Sequence, residues 1–328
     1  MKAVVYTKYG SPDVLQIKDV EKPIPGENEV LIKIHAASVN AYDWHLLTAD
    51  IFLIRFMGGG LLKPKYTRLG ADIAGRVEAV GKNVKQFQPG DEVFGMVRGG
   101  FAEYTCAAED ALALKPSNLS FEAAAAVPMA ALTALQGLRD VGKIQAGQKV
   151  LINGASGGVG TFAVQIAKSF GAEVTAVCST KNMNQARSLG ADHVIDYTKE
   201  DFTQSQGAQG RQQYDLIFAA NGYHPLSAYK RALTPKGIYV MAGGSKAQMI
   251  QAVLLGKWMS DTGGRKMGGV SAKRSQKDLV ILKELLESGK VIPVIDRRNT
   301  LDNAAEALRY LGEGHARGKV VITMEERV

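Results

Sequence analysis

Hydrophobic residues follow two different rhythms along this chain. Over residues 1–120 they come in short runs: KAVVYT, EVLIKIHAASV, AGRVEAVG, DEVFGMV and FAEYTCAA. Pro-Gly and Gly-Asp pairs punctuate them, as in PIPGENE and FQPGDEV, which is how strands joined by tight turns read. This part is predicted to be a compact, mostly β domain. LSFEAAAAVPMAALTALQGL then opens a helical stretch, and the Ser120 hydroxyl is placed to accept from its first-turn amides.

From Lys149 onward strands and helices alternate. KVLING, EVTAVCS, HVIDY, YDLIFAANG and GIYVMAGG read as strands, with helices in GVGTFAVQIAKSFG, NMNQARSLG and HPLSAYKRALTPKG. Short apolar strands separated by helices predict an α/β fold with a parallel sheet covered on both faces. After residue 264 come two amphipathic helices, SQKDLVILKELLESGK and NAAEALRYLGEG, and a last strand, KVVITM. The segment LLTADIFLIRFMGGGLLKPKY is apolar and interrupted by glycine. It is expected to be a loop whose Leu53, Phe56 and Met57 either wall a hydrophobic cleft or simply anchor the loop.

Composition narrows the class. The 328 residues are 46% hydrophobic and 22% charged, the balance of an ordinary globular protein of about two domains. Two cysteines, Cys106 and Cys178, rule out a disulfide scaffold and a four-cysteine zinc lobe, and they fit a reducing compartment. MKAVVYTKYG alternates like a strand and lacks the apolar core of a signal peptide, and no apolar run is long enough to cross a bilayer. A cytoplasmic protein without a membrane partner is expected. The formal charge of +8 favours anionic ligands, but no Lys/Arg block is concentrated enough to make nucleic acid the expected partner.

The strongest chemical signal is VLINGASGGVG at residues 150–160, a buried strand, a glycine-rich turn and a helix start. A dinucleotide-binding turn uses glycine to reverse sharply, to let the backbone approach a pyrophosphate, and to pack helix closely on strand. The helix N-terminal amides then hold the phosphates. Gly157 and Gly160 fill the second and third glycine positions of that motif, and Ala155 stands at the first; Ser156, Gly158 and Val159 complete the loop. Near the end of the next strand an NAD site carries an acid for the ribose 2′-hydroxyl. Here Ser179, Thr180 and Lys181 stand there, two hydroxyls and a cation suited to a 2′-phosphate. NADPH is therefore the expected cofactor, with Tyr197 beside its adenine or phosphate.

Taken in order, MKAVVYTKYGSPDVLQI, ASVNAYDWH, LGADIAGRVEAVG, FQPGDEVFG, GGFAEYT, NGASGGVGTFAVQIAK, SLGADHVIDY and ARGKVVI cover nearly the whole chain. In these the sequence resembles the medium-chain dehydrogenase/reductase superfamily, and within it the zinc-free quinone oxidoreductase and enone or enal reductase branch. The resemblance implies a GroES-like β domain over 1–122 and 266–328, and a Rossmann doubly wound parallel-sheet domain over 123–265. Zinc-dependent relatives carry Cys where this chain has Asn40, and Gly-His-Glu where it has Gly70-Ala71-Asp72. Since thiolate and imidazole bind zinc well and neither is present, no metal is expected. Ala41 replaces a proline frequent in the branch, at the start of the loop expected after Asn40.

By that resemblance Asn40, Tyr42, Asp43 and His45 are the candidate catalytic residues. Asn40 would orient nicotinamide or substrate, Tyr42 or His45 would polarise a carbonyl, and Asp43 would fix the loop, since Asn-x-x-Asp is also turn chemistry. Thr133, Asn221, Gly243 and Lys319 join the cofactor set. The implied activity is hydride transfer from NADPH to a small hydrophobic quinone or to the C=C bond of an α,β-unsaturated ketone or aldehyde, in a homodimer paired through the 247–270 segment. The alternative is a cofactor-gated RNA-binding or structural protein of the same fold.

Overall fold

The computed structural model describes residues 1–50, 60–204, 206–207, 210–244 and 264–324. It comprises two compact units, one of Met1–Ala130, Arg274–Ser288 and Pro293–Val328, the other of Ala131–Lys273 and Gly289–Ile292. Both borders lie beyond the expected 122/123 and 265/266. The short helix Phe121–Ala125 packs on strands Glu29–Val39 and Asp72–Val80, and so stays with the first unit. Strand Lys266–Gly269 is the outer strand of the parallel sheet, and so stays with the second.

In the first unit a seven-stranded sheet is built around the long strand Glu29–Val39. Its order is Ile295–Thr300, Lys319–Thr323, Glu29–Val39, Asp72–Val80, Glu92–Met96 and Leu112–Leu114, with Tyr104–Ala108 also paired to Glu29–Val39. The central strand is apolar almost throughout because neighbours cover both its faces: Val30, Ile32, Ile34, Ala37 and Val39 are buried. Each such side chain contributes about 1.5–3 kcal/mol on burial if large and aliphatic. Strand Ile295–Thr300, whose sequence IDRRNT carries no apolar alternation, escapes sequence reading; its backbone pairing with Lys319–Thr323 creates it.

A second difference matters more. The expected loop after Asn40 is a helix, Ala41–Thr48, closed by Ala49 in the left-handed region at φ 46°. Its Trp44 ring lies against Gly312 at the end of helix Ala304–Gly312. A Cβ on Gly312 would come within 2.4 Å of the ring, so glycine is needed for this approach.

The second unit is a six-stranded parallel sheet ordered His193–Asp196, Glu173–Cys178, Lys149–Asn153, Tyr214–Ala219, Leu233–Met241, Lys266–Gly269. Numbered along the chain, that order is 3-2-1-4-5-6, the order of dinucleotide-binding sheets. Connection direction reverses between Lys149–Asn153 and Tyr214–Ala219, and ligands of such sheets bind outside the carboxyl ends of strands at that reversal. Helix Leu226–Ala232 is shorter than its segment suggests, because LTPKG already belongs to the following strand. Its core gathers Leu151, Val177, Phe202, Ile217, Tyr229 and Tyr239.

Among the described residues no helix is long and apolar enough to cross a membrane.

Candidate active site

Three strand ends meet in the first unit. Register sets Ser38 opposite Asp72 and Val39 opposite Val320. Carried one residue further, the second pairing puts Lys319 opposite Asn40. The result is a buried polar cluster: Ser38 and Asp72 are fully buried, Asp43 is 1% exposed, Lys319 3% and Asn40 7%. The Lys319 ammonium donates to Asn40 Oδ1 at 2.6 Å and lies 3.5 Å from Asp72 Oδ2. The Asn40 amide donates to Asp72 Oδ2 at 2.9 Å and to the Ser38 carbonyl at 3.3 Å. The Ser38 hydroxyl and the Met129 backbone N–H complete the donors to Asp72, at 3.0 and 2.9 Å.

Asp43 sits on the first turn of helix Ala41–Thr48. It accepts from the backbone N–H of Asn40 and that of Gly70, both at 2.9 Å. It thereby caps the helix and ties it to the Gly70 turn. Burial pushes the Asp43 carboxyl up to about 7 against the pull of these two donors. Burial raises Asp72 too, opposed chiefly by Lys319, and lowers Lys319, opposed chiefly by Asp72.

This geometry revises two expectations. Both amide hydrogens and the oxygen of Asn40 are engaged within the cluster, so its side chain acts as scaffold here rather than as a free donor to a ligand. Lys319, expected among the cofactor residues, is spent on Asn40 and Asp72; antiparallel register aims it inward. Tyr42 is 48% exposed, and burial and then Asp43 hold its phenol above the ordinary value, so it stays protonated. His45 is tied through Nδ1 to Asp50 Oδ1 at 2.8 Å. Leu53, Phe56 and Met57 lie outside the described residues, as does most of the 247–270 segment.

In the second unit the glycine turn stands at the sheet's reversal point. Gly154, at φ +81°, makes the sharp turn, taking the task expected of the first motif glycine; Ala155, one residue on, is fully buried. Gly157 caps helix Gly158–Ser169, and a Cβ there would meet only the Gly154 carbonyl, at 3.6 Å. A Cβ on Gly160 would lie 2.0 Å from that carbonyl. Gly160 is therefore required by the protein's own packing, whereas Gly157 keeps space open beside the helix N-terminus, with Ser156, Gly158 and Val159 around it partly exposed. Asn221 and Gly243 follow the adjacent strand ends, Asn221 donating to Tyr223 Oη at 2.8 Å. Thr133 is 8% exposed on helix Pro128–Gln136.

The loop after strand Glu173–Cys178 holds residues that sequence reasoning missed. Asn182 Nδ2 donates to Ser156 Oγ at 3.0 Å and to Ser179 Oγ at 3.2 Å, clipping the glycine turn to this loop. Its buried Oδ1 has no hydrogen-bond partner among the described residues. An orphaned acceptor beside an open glycine turn fits a ligand bearing hydroxyls and phosphates. Thr180 Oγ1 donates to Asp196, which also takes the Thr198 N–H at 3.0 Å and its hydroxyl at 2.7 Å. These bonds, Thr180 first, hold the Asp196 carboxyl below the usual range. Lys181 is exposed, and Tyr197 is 60% exposed just past strand His193–Asp196.

The first unit does not fit zinc. The cation within its cluster is the Lys319 ammonium, and among the described residues no group of three or more His, Cys, Asp or Glu side chains gathers. The second unit fits a pyridine dinucleotide.

Comparison with known proteins agrees. Residues 26–117 match the family model of the alcohol dehydrogenase GroES-like domain, and residues 189–322 match that of the zinc-binding dehydrogenase. The chain is 38% identical to 2-methylene-furan-3-one reductase of Solanum lycopersicum, over 98% of its own length and 79% of the relative's. It is 36% identical to the NADPH-dependent alkenal/one oxidoreductase, chloroplastic, of Arabidopsis thaliana, over 98% and 79%. Its fold superposes on the quinone oxidoreductase from Coxiella burnetii with a TM-score of 0.86 at 30% identity, covering 99% of each chain. With the 3-2-1-4-5-6 sheet, the GroES-like unit and these relatives together, the chain belongs to the medium-chain dehydrogenase/reductase family, as an oxidoreductase of its quinone oxidoreductase and alkenal/one reductase branch.

Proposed function

We propose that the protein is an NADPH-dependent reductase of quinones or of the C=C bond of α,β-unsaturated ketones and aldehydes, working without a metal. The observation that carries the metal-free reading is the Lys319 ammonium bonded to Asn40, the residue that stands where the resemblance gives zinc-dependent relatives a cysteine. The names of the relatives support the acceptor class.

The glycine turn at Gly157 and the N-terminus of helix Gly158–Ser169 receive the pyrophosphate. Asn182 Oδ1 accepts from the cofactor. Ser179 and Lys181 hold the 2′-phosphate; Asp196 spends its oxygens on Thr180 and Thr198, which limits its repulsion of that phosphate. When bound, the reduced nicotinamide supplies a hydride, and negative charge grows on the acceptor's carbonyl oxygen. Tyr42, protonated and exposed, donates to that oxygen, and the proton on carbon then comes from water. The Asp43–Asn40–Asp72–Lys319 cluster holds the helix that carries Tyr42. A homodimer paired through the 247–270 segment is consistent with strand Lys266–Gly269 having no partner on its outer side among the described residues, and a cytoplasmic location is consistent with the free Cys106 and Cys178.

The test is isotopic. With a deuterated hydride donor, the label is expected at the β-carbon of a saturated ketone made from an enone, and simple saturated ketones are expected to be left untouched. Label on a carbonyl carbon, giving an alcohol, would move the protein into carbonyl reduction.

A further inference from the structure

The first unit presents a cluster of positive charge that the reaction so far leaves unused. Arg98 follows strand Glu92–Met96 in a turn pinned on both sides: Val97 N–H donates to the Ala71 carbonyl at 2.7 Å, and Thr105 Oγ1 donates to the Arg98 carbonyl at 2.9 Å. Its guanidinium lies 4.4 Å from the centre of the Tyr66 ring and donates from Nη1 to Tyr66 Oη at 2.9 Å. Lys65 stands 5.5 Å from the same ring centre. Arg274 immediately precedes Ser275, the N-cap of helix Gln276–Glu287, so the positive end of that helix adds to its field. Both arginines are exposed, as are Tyr42 and Tyr66.

The two guanidiniums are near enough to repel one another, and both charges reach the Tyr42 phenol. Yet among the described residues neither Arg98, Arg274 nor Lys65 has a carboxylate within ion-pairing distance; Asp110 attracts Arg274 only from further off. Like charges gathered without a counter-ion leave an electrostatic demand that an anion meets. Guanidinium forks and phenol hydroxyls suit the flat, two-oxygen geometry of a carboxylate. The glycine turn already gives the dinucleotide's phosphates a site of their own, which leaves this cluster to a different anion. Arg98 follows Val97, whose N–H holds the Ala71 carbonyl, next to the Gly70 turn that Asp43 holds.

We propose that Arg98 and Arg274, with the hydroxyl of Tyr66, bind a carboxylate carried by the acceptor substrate, at a distance from its reacting double bond. The proposal rests on the reductase reading above for the word acceptor. It makes the enzyme selective for enones or enals that are themselves anions, such as chains ending in a carboxylic acid.

The experiment compares an enone whose chain ends in a carboxylate with its neutral methyl ester. NADPH oxidation gives kcat and KM, and calorimetry gives direct binding of each. The wild-type protein is expected to favour the acid by at least about tenfold, the scale of one charge-assisted contact, mainly through KM and less so at high salt. Arg98→Gln with Arg274→Gln should abolish the preference, and Arg98→Lys with Arg274→Lys should keep part of it. Equal kcat/KM and equal binding for acid and ester in the wild-type protein would overturn the proposal, as would equal losses for both in the Gln variant. If the ester is reduced well and the arginines discriminate nothing, the site fails and the reductase reading stands. If the acid binds in an arginine-dependent way but neither compound is reduced, the acceptor reading fails.

Discussion

Replacing Lys319 with Met removes the one cation of the Asn40 centre while keeping most of the volume. At 3.5 Å, and with the effective dielectric of about 20 that suits protein sites, the lost attraction to Asp72 is about 5 kcal/mol. Asp72 keeps three donors, from Ser38, Asn40 and Met129, but Asn40 Oδ1 loses its only side-chain donor among the described residues. Breaking a buried ion pair from one side costs about 3–5 kcal/mol, and that is the loss expected at pH 8. The loss should depend on pH with a definite sign. Without Lys319 the folded Asp72 carboxyl, already raised by burial, rises further, so below that value the folded state holds a proton that the unfolded chain has released. Stability of the variant then climbs as pH falls, by up to about 1.4 kcal/mol per unit, until the unfolded carboxyl also protonates near 4. Urea unfolding of both proteins at pH 5.5, 7 and 8 measures this, and Lys319→Met combined with Asp72→Asn should recover part of the loss at pH 8. A single variant within 1 kcal/mol of wild type at pH 8, or a loss that does not shrink toward pH 5.5, would refute the assignment of Lys319 as the counter-charge of this centre (both figures being of the order set by the pair energy above).

The other predictions use simpler readouts. Gly157→Ala should leave the melting temperature nearly unchanged but weaken NADPH binding about tenfold or more, whereas Gly160→Ala should destabilise the fold by about 1–3 kcal/mol, because its Cβ meets the Gly154 carbonyl at 2.0 Å; thermal melts paired with fluorescence titration separate the two, and equal behaviour would contradict the packing argument. Lys181→Glu should narrow the preference for NADPH over NADH by about one to two decades, measured as the ratio of dissociation constants, and an unmodified protein that binds both equally would remove the basis for the 2′-phosphate assignment. Asp43→Asn must turn an amide N–H toward a backbone N–H, so above pH 7 it should cost about 1–3 kcal/mol. The folded Asp43 keeps its proton up to about 7 while the unfolded chain releases it near 4, so its contribution falls as pH rises through that window. The gap between wild type and variant should narrow from pH 4.5 to 7 and level off above, and a gap independent of pH would count against the raised carboxyl.

Local sequence determined much of this protein. Apolar runs of strand length between turn residues laid out the β-rich first unit, and the alternation from Lys149 onward laid out the parallel sheet. The glycine turn was legible because its requirements are local: reversal, close approach and packing within a few residues of one strand and one helix. Even there Gly154 took the turn assigned to the position of Ala155, since only the backbone angles say which glycine lies in the left-handed region. What tertiary structure alone decided is the Asn40 centre. Asn40 and Lys319 are 279 residues apart, and nothing in either neighbourhood points to the other. They meet because antiparallel register is fixed along whole strands, Val39 against Val320 and Ser38 against Asp72, and a pairing set by many apolar contacts then places the few polar side chains at the strand ends without choice. The same holds for Asn182, whose clip between Ser156 and Ser179 needs two adjacent parallel strands to end at one level. Periodicity reports which face of an element is buried; it carries no information on what lies across from it, and charges buried in a common interior are defined by that second fact.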